Sequence, residues 1–312
     1  MPLRIAFFIL VSLLIFPAPA RSFQGFVQPF GENASIAWGN GEIVVVRMLE
    51  KAEDGESDKT APLAVRKAAM QARKQMLDMI LSIRIDSKRT VSAFLSGDDE
   101  LAVRVRGSIQ NSPFKRPSVF DESGGVRVSE TLRGKLAELV LPTTIQFQSG
   151  IQPRLSTSME QSLAFSDAVP EVVGSGADAY TGLIIDARGL KVTPALAPVV
   201  YGQDGLGAYG AFLISRKNAI DNGIVAYAIS SDPVVLRERV GSRPLMVKAL
   251  TAYGSWRTDL IISSPMARLV RAVMRPGDII DKCRVVIVVD APISLENTDV
   301  IIEGEIQPNE EQ

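Results

Sequence analysis

Residues 179–201, AYTGLIIDARGLKVTPALAPVVY, constrain the fold more than any other stretch. Leu183-Ile184-Ile185 is a short apolar run that stops at Asp186. Branched aliphatic side chains suit a pleated, buried surface, so this run reads as a strand. A turn follows through Arg188 and Gly189, and a second run reaches Val199-Val200 past Pro194 and Pro198. Each proline fixes its own φ and restricts the residue before it, so a continuous helix is excluded. The stretch must form a corner between two strands. Ahead of it lie a leader and a smaller α+β unit. Behind it, strands alternate with glycine turns and one or two helices.

A chain of 312 residues with 46% apolar side chains is long enough for two packed domains. The formal net charge is −1 and the charges are interspersed, which argues against a dedicated nucleic-acid surface. Histidine is absent. That removes Ser-His-Asp triads, Cys-His dyads and HExxH zinc sites together. Cys283 is the single cysteine, so no internal disulfide can form. It precedes the run Val285 to Val289 and reads as a small buried hydrophobe.

The first residues read as a secretory signal peptide. Arg4 supplies the positive end, residues 6–16 are the apolar core, and Ala18-Pro19-Ala20 is a small-residue cleavage site. Cleavage is expected after Ala20, with Ala18 and Ala20 as the recognised pair, and after Ser22 as the alternative. Transfer across an inner membrane and a periplasmic location follow. No later segment is long and apolar enough for a transmembrane helix, and peripheral membrane association stays open.

Within residues 23–30, Phe23, Phe26 and Phe30 form a tail packed on the body or an attachment segment. Asn40-Gly41 between apolar flanks predicts a hairpin, with Trp38 in the core. Residues 61–83 predict a helix, with Ala68, Ala72, Met76 and Met79 in one apolar stripe. Residues 90–95 and 101–106 predict strands around Gly97-Asp98-Asp99, because Val103 and Val105 alternate with Arg104 and Arg106. Residues 108–128 read as a long hairpin or irregular arm. A second helix is expected to follow Val128-Ser129-Glu130 and to stop at Pro142. A strand-like piece covers 144–147. Later strands are expected at 224–229, 244–251, 258–262, 283–290 and 299–303. A helix should begin at Ser264-Pro265, with Ser264 as its cap.

No catalytic constellation emerges, and no metal or cofactor is expected. Asp186 and Arg188 can fix their own turn by a carboxylate-to-backbone bond and a local ion pair. The same two residues, with Tyr201 and Asp204 of the following glycine loop, are the candidate contacts for a ligand or partner. That loop lacks the lysine and the following Ser/Thr of a phosphate-binding loop, so its glycines read as turns.

The alanine-rich segment AVRKAAMQARKQMLDMILSIRIDS, followed by apolar runs, resembles the bacterial LPP20-like envelope lipoproteins and their flagellar relatives. TGLIIDARGL, then PALAPVVY and a glycine turn, is similar to the second half of envelope proteins in that group. The resemblance covers roughly residues 34–106 and 179–289. It implies a helix packed on a sheet, and a non-catalytic role at the outer membrane or around the flagellar motor, often in rings. This chain departs from the family in having no lipid-bearing cysteine, so lipid attachment does not carry over.

The expected architecture is α+β: two small domains, each a mostly antiparallel sheet with one or two packed helices. Residues 1–20 form the signal peptide and 21–148 an N-terminal domain. A linker covers 149–178, a C-terminal domain 179–304, and an acidic tail 305–312. The expected function is protein–protein assembly in the envelope, with other envelope proteins or further copies of this chain as partners. Two alternatives stand beside it. One is a small-ligand or glycan-binding module built from the two polar loops. The other is a histidine-independent hydrolase, which needs a pair of carboxylates about 5–10 Å apart.

Overall fold

The computed structural model describes residues 23, 25–49, 62–116, 125–143, 145, 180–274 and 277–292. The signal segment, most of 144–147, the linker, the strand expected at 299–303 and the acidic tail lie outside the described residues.

The chain is α+β and carries two sheets. The first contains β1 (Val27–Pro29), β2 (Ala34–Ala37), β3 (Glu42–Met48), β4 (Phe114–Lys115) and β5 (Gly125–Thr131), in the order β1-β2-β3-β5-β4. Every pairing in it is antiparallel, as expected. The β2–β3 turn closes where Asn-Gly predicted it. Asn40 Oδ1 accepts from the Glu42 N–H at 3.0 Å, and Gly41 takes φ 79°. Helix α1 (Pro62–Ser82) packs its stripe of Ala68, Ala72, Met76 and Met79 onto β3 and β5. The small alanines let the helix approach the sheet closely.

The two strands expected at 90–95 and 101–106 are helices: α2 (Val91–Leu95) and α3 (Asp99–Gln110). Capping and burial explain the difference. Thr90 Oγ1 accepts from the Ala93 N–H at 3.1 Å, and Asp98 Oδ1 accepts from the Leu101 N–H at 2.9 Å. Both bonds satisfy first-turn donors that a helix otherwise leaves unpaired. Asp99 and Glu100 add negative charge at the positive end of α3. The valines follow a helical period, with Val105 and Ile109 buried four apart and Val103 63% exposed. Residues 125–131 are strand, so the second helix starts later than expected, as α4 (Gly134–Val140).

The second sheet contains β6 (Gly182–Asp186), β7 (Val200–Gly202), β8 (Gly207–Tyr209), β9 (Ala226–Ala228), β10 (Pro244–Tyr253), β11 (Asp259–Ile262) and β12 (Val285–Val288). Their order is β8-β7-β11-β10-β6-β12-β9. This sheet is mixed, which corrects the mostly antiparallel expectation. β6 pairs parallel with β10 and β12, β12 with β9, and β7 with β11. Only β10/β11 and β7/β8 are antiparallel. Parallel pairs need long crossovers, and α5 (Arg216–Asn222), α6 (Arg237–Val240), α7 (Ser264–Val273) and α8 (Asp278–Asp281) lie in those connections. The unbroken apolar runs of β6 and β12 were the sequence sign of strands buried on both faces. Ser263, not Ser264, stands at the cap of α7, and Gln203 Oε1 accepts from the Ser264 N–H at 3.1 Å.

The two sheets share one continuous apolar core, running from Ile36 and Ile43 through Tyr227 to Leu183 and Ile287. The open edge of β9 meets the first hairpin. Phe26 N–H donates to the Tyr227 carbonyl at 2.7 Å, and Tyr227 N–H donates to the Trp38 carbonyl at 3.4 Å. The Trp38 and Tyr227 rings meet edge to face, with centroids 5.6 Å apart. Phe26 is buried and Phe23 packs against the β9/β12 cluster, so this N-terminal stretch is anchored on the body.

Candidate functional site

Asp186 and Arg188 form a closed corner at the end of β6. Asp186 accepts from the Arg188 N–H at 3.2 Å, from Nε at 2.9 Å and from Nη2 at 2.6 Å. The Arg188 hydrogen bonds hold the Asp186 carboxyl below the usual carboxylate range. Gly189, at φ 80°, donates its N–H to the Asp290 carboxylate at 2.9 Å. Asp290 follows β12, the neighbour of β6, so the corner is pinned across two strands. Both carboxylates are engaged in holding the turn.

Asp204 is engaged in the same way. It pairs with Arg271 of α7 and accepts from the Leu206 N–H at 3.1 Å. Together with the Gln203 bond to Ser264, this fastens the glycine loop to α7. The two polar loops do not meet. β10 and β11 separate β6 from β7, a lateral gap of roughly 14 Å at ordinary strand spacing. β7 also runs opposite to β6, so the loops leave the sheet in opposite directions. A joint pocket built from Asp186, Arg188 and Asp204 does not form.

Tyr201 belongs elsewhere, in a cleft of about 260 Å³ where the two sheet units meet. Its ring lies edge to face with Tyr253 at 5.9 Å. The cleft also holds Asp259 and the turn Asp86, Ser87, Lys88 and Arg89. Asp86 accepts from the Arg89 guanidinium at 2.9 Å and from the Lys88 N–H at 2.8 Å. Asp259 is buried at the head of β11. Its carboxylate accepts from the Val199 N–H at 3.0 Å and from the Thr258 and Ser87 hydroxyls. Burial pushes its pKa up to about 6, and the nearby Asp86 charge adds to that. The sequence carried one sign of this site, an acid opening an otherwise apolar strand. Its partner Ser87 is 172 residues away and has no local signature.

A second charged interior lies between α4 and α5. Arg239 donates to the Asn222 and Gly223 carbonyls at 2.8 and 2.9 Å, closing the end of α5. Arg133 lies against Gly223. Burial, with the Arg239 charge beside it, pushes the Arg133 pKa down to about 10. The adjoining void is only about 20 Å³, room for one water. Cys283 is buried there and its thiol is pushed up to about 11 by burial, so it is not a reactive thiolate.

A larger cavity lies on the outer helical layer. A groove of about 450 Å³ runs between α1 and α3. Leu77 and Ile109 line it on the apolar side, and Met70 stands at its edge, 65% exposed. Arg73, Lys74 and Arg106 supply positive charge, and no carboxylate is among its lining residues. Arg73 is held in place by the Ser112 carbonyl at 2.6 Å and lies over the Phe114 ring. Residues 70, 73, 74 and 77 are three and four apart, so they share one helix face, away from the core stripe. Val103 lies one turn before Arg106 on α3. Alternation read as a strand concealed this face from sequence reasoning.

Among the described residues, no group of three or more His, Cys, Asp or Glu side chains is placed to hold a metal ion. No helix among them is long and apolar enough to cross a membrane. No curated protein matches the chain. Residues 182–291 match the family model for the second domain of Tp0624 from Treponema pallidum, a stretch that contains β6 through β12 and therefore all seven strands of the second sheet.

Proposed function

We propose that this chain is a non-catalytic envelope protein, exported to the periplasm, that works by docking other proteins or further copies of itself through the α1/α3 groove. The groove supports the reading: about 450 Å³ of space beside exposed Met70 and the basic side chains Lys74 and Arg106 offers room and charge for a partner. The engagement of Asp186, Asp204 and Asp259 in structural hydrogen bonds supports a role without chemistry. The signal segment and the resemblance to LPP20-like envelope proteins support the location. A place in an outer-membrane or flagellar ring is the narrower form of the same proposal, and the Treponema domain match is compatible with either.

The test is the size of the mature protein, alone and in envelope extracts. Assembly or a co-purifying envelope partner is expected. Met70→Glu combined with Val103→Glu should reduce the assembled fraction by about tenfold or more, because both place a carboxylate on exposed apolar positions of the proposed contact face. A strictly monomeric, freely soluble species with no envelope partner overturns the reading.

One observation favours a second reading. The cleft at Tyr201 and Asp259 is large enough for a small polar ligand such as a sugar ring. Thermal shift against a saccharide panel tests it: a saturable shift lost in Tyr201→Ala supports it, and no shift with any member sinks it.

A further inference from the structure

Two arginines meet at the junction of the sheet units without a carboxylate between them. The Arg133 guanidinium lies between two backbones, one from each unit: an added Cβ would come within 3.3 Å of it at Gly41 and 2.1 Å at Gly223. Arg239 reaches the same glycine from α6, its Nη2 donating to the Gly223 carbonyl at 2.9 Å. Each residue is half-buried as a whole, but the charged ends are drawn inward. The Arg239 Nε is buried with no hydrogen-bond partner. Burial lowers both pKa values, and the Arg239 charge lowers that of Arg133 further.

Burying a cation is costly unless an anion or enough acceptors stand beside it. Among the described residues, neither guanidinium forms an ion pair. Cys283 lies nearby, but burial pushes its thiol up to about 11, so it is neutral at ordinary pH. Asp281 is exposed and accepts from Asn218 Nδ2 at 3.3 Å. Arg133 has five N–H donors, and the hydrogen bond it makes runs from Nη1 to the Leu132 carbonyl at 3.1 Å. The void of about 20 Å³ has Arg133 as the one charged side chain in its lining, beside apolar Leu132, Ala137 and Val140. A buried water wants both donors and acceptors around it, whereas an anion wants donors and positive charge. Phosphate, sulfate and carboxylates are too large for this space, and a single halide-sized ion fits.

We infer that Arg133 binds a monatomic anion, chloride in solution, in the void beside Gly41 and Gly223, with the Arg239 charge adding to the attraction. The ion supplies the counter-charge and pins the first hairpin to the end of α5. The site is independent of the α1/α3 groove and of what docks there.

Bromide replaces chloride and scatters anomalously. Crystals of the full mature chain grown in sodium bromide should show an anomalous peak against the Arg133 guanidinium. In solution, urea unfolding is compared in sodium chloride and in sodium gluconate at equal ionic strength, because gluconate is too large for the void. A ligand of the folded state alone stabilises it by mass action, so each tenfold rise in chloride beyond half-saturation should lower the unfolding constant by up to about tenfold. Arg133→Gln should abolish the difference between the two salts, and Lys248→Gln, at an exposed position, should leave it. No bromide peak at Arg133 overturns the inference. So does a peak without chloride-specific stabilisation, which marks an adventitious ion only, or a chloride effect that Arg133→Gln leaves intact. If the glutamine chain does not fold, the bromide peak and the chloride dependence of the native chain decide the question by themselves.

Discussion

Asp259 and Gly223 show how single residues hold the junction. Asp259 ties β11 to the Val199 backbone and to Ser87 in the other sheet unit, and it does so at reduced solvation. Its folded pKa, about 6, is above the ordinary value of 3.8. A raised acid favours the folded state most below the unfolded pKa. That contribution is lost as pH rises through about 6. The loss amounts to at most about 3 kcal/mol between pH 4 and pH 7. Asp186 works the other way, because its pKa is lowered, and its contribution falls away only below the ordinary value. Urea unfolding between pH 5 and 7.5 therefore isolates Asp259. Asp259→Asn should flatten the pH dependence in that window, and an unchanged slope would show that another group sets it. Gly223 takes φ 70°, and a Cβ there would run into the Arg133 guanidinium. Gly223→Ala should lower stability by at least about 2 kcal/mol, through backbone strain and displacement of a buried cation. The shift in the urea midpoint measures it.

At the scale of elements, the first sheet unit depends on caps that the alternating valines obscured. Asp98 serves as the N-cap of α3, and Asp98→Ala should cost about 1 kcal/mol while Asp98→Asn is nearly neutral. A hairpin turn at the same position would not rank the two this way, so chemical denaturation of both variants checks the assignment. α1 depends on small residues. Ala72 is fully buried against the sheet, so Ala72→Leu should destabilise by about 1–3 kcal/mol through overpacking. In the second sheet, β10 is the organising strand. Its first half pairs parallel with β6 and its second half antiparallel with β11, with a register shift between Ala249 and Thr251. That single ten-residue strand joins the two directions of the mixed sheet.

At the scale of the whole molecule, two sheets behave as one packed body. Leu196 and Ala197 donate their N–H groups to the Arg84 and Ile85 carbonyls, and Arg216 donates to the carbonyls at the end of α4. Both tryptophans report on this junction. Trp38 meets Tyr227, and the Arg84 guanidinium lies 3.9 Å over the Trp256 ring. Tryptophan fluorescence and far-UV circular dichroism should therefore give coincident unfolding midpoints. Separate midpoints would mean that the units unfold independently. The α1/α3 groove, the docking face proposed above, is formed by residues of α1 that lie off the stripe packed on the first sheet.

The sequence alone determined what depends on neighbours along the chain. The α+β class, the Asn40-Gly41 hairpin, the stripe of α1, burial of Cys283 and the self-closing Asp186–Arg188 turn all follow from spacing and local chemistry. The absence of histidine settled which chemistries were unavailable. Tertiary structure decided what depends on partners far apart. Strand direction in the second sheet is set by crossovers and burial on both faces, so the prolines and glycines at its corners could not fix it. The separation of Asp204 from Asp186 follows from two strands inserted late in the chain. Asp259 acquires its character only when Ser87 and Asp86 close over it, and the groove exists only because α3 is a helix lying beside α1. Hydrogen bonds along a turn are encoded within a few residues, whereas burial is a property of the assembled body.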